Sequence, residues 1–171
     1  MNNHNDLNIN NKYKILFVCH GNICRSPMAE FMMRRKLEDA GLAGKVEVAS
    51  SAVSSEEIWD GVGNPVYPPA REMLRRHGLS CEGKRAVRLL ADDYDRYDQF
   101  IAMDSSNIRG IMRIFSRGQR MILPDPEGKV RLLLDRDVAD PWYTGDFTAT
   151  WNDLEEGLDA LISDLEKQLK G

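Results

Sequence analysis

Apolar residues in this chain gather into short blocks, set apart by polar stretches that carry glycine and proline. Tyr13 to Cys19 (YKILFVC) is an apolar, β-rich run bounded by Gly21 and predicts a buried strand. After that glycine turn, Ser26 suits an N-cap and Pro27 the first helical position. Met28, Phe31, Met32 and Leu37 carry the helix to a stop at Gly41. Val46 to Ala49 predicts a second strand, and the long polar stretch Ser50 to Pro69 a loop. Pro69 to His77 reads as a helix ended by Gly78, and Asp98 to Met103 as a third strand. Asp104 to Phe115 reads as a helix ended by Gly118, and Met121 to Leu123 as a fourth strand stopped by Pro124. From Phe147 to Leu169 the apolar positions Trp151, Leu154, Leu158, Leu161, Ile162 and Leu165 recur at helical spacing, which predicts a long amphipathic helix.

Strands alternating with helices imply βαβ units. The expected fold is α/β: a single-domain three-layer sandwich, with a central four-stranded parallel sheet, helices on both faces and a tight loop between the first strand and first helix. Ligands of such sheets sit beyond the carboxyl ends of the strands, where Cys19 falls. A length of 171 residues suits one domain. Residues 1–12, rich in Asn, are expected to form a disordered tail, and 13–171 the domain.

Composition narrows the field. Apolar residues at 42% and charged residues at 29% match a soluble globular protein. A net charge of -4 leaves no basic surplus for nucleic acid. The clusters Arg34-Arg35-Lys36 and Arg75-Arg76 read as solvated helix faces. No apolar run approaches the roughly 18 residues of a membrane span, and no apolar h-region stands near the start, so a cytoplasmic protein without a membrane partner is expected. Three cysteines without regular spacing make no disulfide framework. They fit a reducing compartment, where an unusual thiol is catalytic or redox-active. His4, His20 and His77 have no metal-ligand spacing with them, so neither metal nor cofactor is expected.

Cys19-His20-Gly21-Asn22-Ile23-Cys24-Arg25-Ser26-Pro27 combines a thiol, a turn, a guanidinium and a helix start. A phosphate dianion needs donors from several directions, and inward-facing loop N–H groups at a helix N-terminus supply them. Gly21 allows backbone angles other residues resist, and Asn22 tolerates the left-handed region while its amide ties the loop. Arg25 presents a planar fork matched to two phosphate oxygens. Cys19 stands at the focus of these partial charges, which favour its thiolate. Ser26 can donate a hydrogen bond to that thiolate. Cys-x5-Arg alone is a weak signal; the full string between a strand and a helix start is a strong one.

This string, and the chain from about Lys14 to the last helix, resembles the low-molecular-weight protein tyrosine phosphatases. The resemblance implies that Cys19 is the nucleophile and that Arg25 and the loop hold phosphate. Asp140-Pro141-Trp142-Tyr143 is similar to the family's general-acid loop, which makes Asp140 the acid. From the residues alone, Asp140 reads equally as a turn residue before proline. Tyr97 to Asp104 and Ser105-Ser106-Asn107 resemble the family's central strand and the turn after it. Trp142 and Tyr143 suit the walls of a narrow cleft, deep enough for a phenyl phosphate, or plain packing. Trp59 matches, more loosely, another wall residue. Cys24 corresponds to a thiol that related enzymes use as a redox partner of the nucleophile; the bland reading is a small residue filling space. Cys81 reads as an inert or surface thiol.

Two segments depart from the family. Val53 stands where glycine is usual, so either the loop differs or the backbone angle there is ordinary. Lys84-Arg85-Ala86-Val87-Arg88 has an extra residue or a substitution in a basic stretch. The function implied is hydrolysis of phosphotyrosine in a protein substrate, by a monomer or weak dimer. Two alternatives share the loop. A protein-arginine phosphatase of the same family favours threonine at the Ile23 position. A thiol-relay arsenate reductase needs further cysteines, and Cys81 stands alone.

Overall fold

Alternation along β1 (Tyr13–Cys19) divides the molecule into layers. Ile15, Phe17 and Cys19 enter one core with Met28, Met32 and Leu37 of α1 (Arg25–Asp39) and Leu154, Leu158, Leu161 and Leu165 of α5 (Phe147–Lys170). Leu16 and Val18 enter the other, with Phe100 of β5 (Gln99–Ala102) and Ile111 and Phe115 of α3 (Ser105–Ser116). The computed structural model describes residues 11–118 and 123–170. Its sheet has four strands in the order β2-β1-β5-β6, with β2 spanning Val46–Ala52 and β6 Val130–Leu132. All three pairings are parallel, and the registers Cys19↔Ala52 and Val18↔Ala102 align the strand ends. α2 (Pro68–Arg76) packs beside α1 and α5. No described helix is long and apolar enough to cross a membrane.

Several boundaries differ from the expected ones. α1 starts at Arg25, and its N-cap is Cys24, without a side-chain cap; Ser26 turns its hydroxyl inward instead. β2 runs on to Ala52, because Ser50 and Ser51 are buried rather than solvated. The stretch read as loop also holds a hairpin, β3 (Ile58–Trp59) and β4 (Val62–Gly63). Asp60 (φ 50°) and Gly61 (φ 76°) form its turn, and Asp-Gly is a hairpin signal that the polar composition obscured. α2 begins one residue early, at Pro68. The fourth strand is β6. Of the stretch read as that strand, Met121 and Ile122 lie outside the described residues, while Leu123 is exposed and belongs to no strand.

Val53 is not among the residues with positive φ, so its angle is ordinary. Its side chain lies against Gly110 of α3, where an added Cβ would come within 2.9 Å of it. Cys81 is buried, not a surface thiol. In the first basic cluster Arg34 pairs with Glu30 at 2.6 Å and Lys36 with Asp159 at 2.7 Å, while Arg75 and Arg76 stay exposed beside Glu72 on a solvated helix face.

Candidate active site

The sheet order reverses at β1, with β2 on one side and β5 on the other. The carboxyl end of such a strand opens a crevice between the two crossovers, and Cys19 sits there. Residues 20–24 then curl into the start of α1. Asn22 takes φ 60° at the turn, a conformation asparagine accepts more readily than most residues. Among the described residues, no main-chain acceptor takes the N–H groups of Gly21 to Cys24.

One line of hydrogen bonds has a fixed direction. The Val87 N–H can only donate, so Asn22 Oδ1 accepts it at 3.1 Å. Asn22 Nδ2 must then donate to Ser26 Oγ at 2.8 Å and Ser50 Oγ at 2.9 Å. Ser50 Oγ donates to Glu30 Oε1 at 2.6 Å. Ser26 Oγ lies 3.0 Å from Cys19 Sγ, where either group can donate, and 3.5 Å from Ser51 O. A thiolate there receives a hydroxyl donor. Lys84 closes the far end: its Nζ donates to Ser50 O at 3.0 Å and lies 3.6 Å from Glu30 Oε1. Burial pushes the Lys84 ammonium down, with Glu30 opposing it. The departing basic stretch thus supplies two struts, Lys84 and Val87, behind the loop.

Arg25 is buried to 2% exposure beneath the loop. Its Nη1 donates to Asp104 Oδ2 at 2.7 Å and to Val138 O at 2.8 Å; its Nη2 reaches Asp140 Oδ2 at 3.4 Å. Burial opposes the guanidinium charge, but Cys19, Asp104 and Asp140 outweigh it and hold the group above its ordinary value. Asp104 is the reverse case. Burial works against its carboxylate, yet Ser106 Oγ at 2.6 Å, Arg25 and the Asn107 N–H at 2.8 Å hold it below the usual range. Asp140 caps α4 (Pro141–Thr144) through the Trp142 N–H at 3.0 Å.

A cavity of about 280 Å³ joins these groups. Cys19, His20, Gly21, Ile23, Cys24 and Arg25 line it from the loop, and Asp140, Trp142 and Tyr143 from the α4 segment. Asn22 and Ser26 lie buried behind it. Trp59 is exposed on the hairpin and is not among the lining residues. Burial, then the charges of Cys19 and Asp140, push the Cys24 thiol up to about 12. Among the described residues, no group of three or more His, Cys, Asp or Glu side chains could hold a metal ion.

Sequence reading passed over three groups here. Asp104 follows the third expected strand, and a carboxylate at the carboxyl end of a parallel strand is a cue to a ligand site. Glu56 and Glu57 also line the cavity, and nothing in their spacing marked them. Glu30 was one acidic residue on a helix.

The family model for low molecular weight phosphotyrosine protein phosphatase matches residues 14–171. The chain belongs to this family. It is 35% identical over 161 residues to the low molecular weight protein-tyrosine-phosphatase YfkJ of Bacillus subtilis, covering 90% of this chain and 96% of the relative. The YfkJ crystal structure superposes with a TM-score of 0.83 at 32% identity, over 93% of this chain and 98% of that one. The tyrosine phosphatase Wzb from Escherichia coli K30, solved in complex with sulphate, gives a TM-score of 0.70 at 26% identity, over 91% and 99%. Membership makes this low-molecular-weight phosphatase an enzyme, a phosphoric monoester hydrolase acting on phosphoprotein.

Proposed function

We propose that this phosphatase hydrolyses phosphotyrosine in proteins through a phosphocysteine on Cys19. The observation that carries the reading is the convergence of Cys19, Arg25 and Asp140, from separate stretches of chain, on one cavity. The Cys19 sulfur attacks phosphorus; the S–P bond forms as the bond to the phenolic oxygen breaks. Arg25 and the loop amides bind the equatorial oxygens. Asp140 delivers its proton to the departing phenolate. Water then attacks the phosphocysteine, Asp140 takes a proton from it, and the S–P bond breaks to release phosphate and the thiolate. Incoming phosphate competes for Arg25 Nη2 and frees Asp140. Asp104 and Val138 O keep the guanidinium oriented meanwhile. That Wzb was solved in complex with sulphate supports oxyanion binding by this fold.

Ile23 lines the cavity where the arginine-phosphatase alternative expects threonine, which favours phosphotyrosine. Cys24 keeps the proposed part of redox partner: a peroxide oxidises the Cys19 thiolate to a sulfenic acid, and the Cys24 thiol then attacks that sulfur and displaces water to form the disulfide.

The test is phosphate release from phosphotyrosine and phosphoarginine peptides. Cys19→Ser abolishes turnover; turnover that survives overturns the covalent mechanism. Asp140→Asn slows aryl phosphates with poor leaving groups by about 10²–10⁴-fold and activated ones far less. Equal slowing removes the acid role.

A further inference from the structure

Glu56 and Glu57 have no part in the chemistry above, yet they stand on the wall of the same cavity as Cys19 and Arg25. On an open surface two carboxylates would mean little. Here they flank a floor whose Arg25 is 2% exposed and already faces Asp104 and Asp140. Of the cavity's charged side chains, Arg25 is taken by the phosphate and Asp140 by proton transfer. What remains for the rest of a substrate is Glu56, Glu57 and His20, a ring that is cationic only when protonated.

Both carboxylates have defined positions. Asn64 Nδ2 donates to Glu57 Oε2 at 2.8 Å, and the Asn64 N–H donates to Glu57 O at 2.8 Å, so the neck of the β3–β4 hairpin holds this residue twice. The Glu57 stem lies against Gly21, where an added Cβ would come within 3.1 Å of its Cγ. Asn64 offers no positive charge, so the Glu57 charge is not neutralised by its partner. Glu56 Oε2 lies 3.0 Å from His20 Nε2. A phosphate dianion held by the guanidinium shares its cavity with two carboxylates.

Resting on the phosphotyrosine reading, we propose that Glu56 and Glu57 select substrates whose phosphotyrosine is flanked by lysine or arginine. A cation beside the phosphotyrosine offsets the repulsion between rim and dianion and faces the rim carboxylates directly. An acidic flank adds a like charge at the same place, the repulsive half of specificity. For exposed pairs of this kind the combined preference is about three- to tenfold in kcat/KM.

The experiment compares two phosphotyrosine peptides of equal length, one with lysine and one with glutamate on both sides of the phosphotyrosine. The quantity read is the ratio of their kcat/KM values within one preparation, so a general loss of activity cancels. The ratio favours the lysine peptide by about three- to tenfold at about 0.02 M salt and shrinks towards one at about 0.5 M. Glu57→Gln lowers it, and Glu56→Gln/Glu57→Gln brings it close to one. Equal rates in the unaltered enzyme at low salt overturn the proposal, as does a preference that persists in the double variant. Should the double variant not fold, the salt dependence and the single variants decide. Turnover of neither peptide overturns the phosphotyrosine reading and this inference with it; turnover without preference overturns this inference alone.

Discussion

Arg25 cannot turn its fork upward without something to hold its other edge, and Asp104 does so at 2.7 Å. Asp104→Asn keeps a neutral acceptor but removes the charge. It should cost about 1–3 kcal/mol of stability near neutral pH, as loss of a charged hydrogen bond does. The sign of the pH dependence follows from the depressed Asp104 carboxyl. A depressed value means its stabilisation is complete above the unfolded value near 3.8 and is lost as pH falls through the lower folded value. Urea unfolding of both proteins should therefore show a gap at neutral pH that closes towards pH 3. A gap that persists there would mean that shape, not charge, holds the arginine. Cys24 is a second residue-scale case. With its thiol pushed up to about 12, it stays protonated at neutral pH. Burial raises the Cys81 thiol too. Iodoacetate at neutral pH should therefore carboxymethylate Cys19 and spare the other two, as read by peptide mass mapping. Labelling of Cys24 at a comparable rate would contradict the burial argument.

At the scale of elements, a loop, a helix and two extended segments share the task of aiming Ser26. Glu30 belongs to α1, Ser50 to β2, and Val87 follows the Lys84 strut. If Asn22 acts on Cys19 only by fixing hydrogen-bond direction, Asn22→Gly, which accepts the φ of 60°, and Ser26→Ala remove the same thing. Each should lower kcat/KM by about tenfold, the worth of one charge-assisted bond. The double variant should be little worse than either single one, and losses that multiply would break the line into independent parts. This network was invisible in the sequence because its members are 28 to 65 residues from Asn22 or sit unmarked on helix and strand faces. The elements themselves were more legible. β1 and α5 carry strong patterns, and β5 and α3 follow an apolar run and an Asp cap. β6 is three residues long with only a partial apolar pattern, too short to announce itself. The β3–β4 hairpin was masked by polar composition, although Gly63 is required there. An added Cβ would collide with Ala86 O, so Gly63→Ala should displace the hairpin and, with it, Glu57. The measurable result is a lowered preference for cationic peptides at unchanged helix content by circular dichroism.

The whole molecule decides why the loop cannot exist apart from the fold. Its nucleophile ends a central strand, its amides precede a helix, and Asn22 is pinned by a segment some sixty residues on. Arg25 is pinned by the end of β5 and by Val138 and Asp140 near the other end of the chain. The motif residues were legible because phosphate chemistry restricts residue type locally; their supports were not, because tertiary packing supplies them. An oxyanion in the loop therefore meets its full set of donors only in the native state. A ligand that binds the folded chain alone stabilises it by mass action, by about 2.7 kcal/mol at a hundred times its Kd. For a domain of this length that corresponds to a rise of about 5–10 °C in Tm. Phosphate should produce this rise, compared with chloride at equal ionic strength. Cys19→Ser should keep it, since the serine leaves donors and guanidinium in place. Arg25→Lys should lose most of it, because an ammonium cannot face Asp104, Val138 O and two phosphate oxygens at once. A Tm indifferent to phosphate, or one that rises equally in Arg25→Lys, would show that the anion binds somewhere other than the cradle at the end of β1.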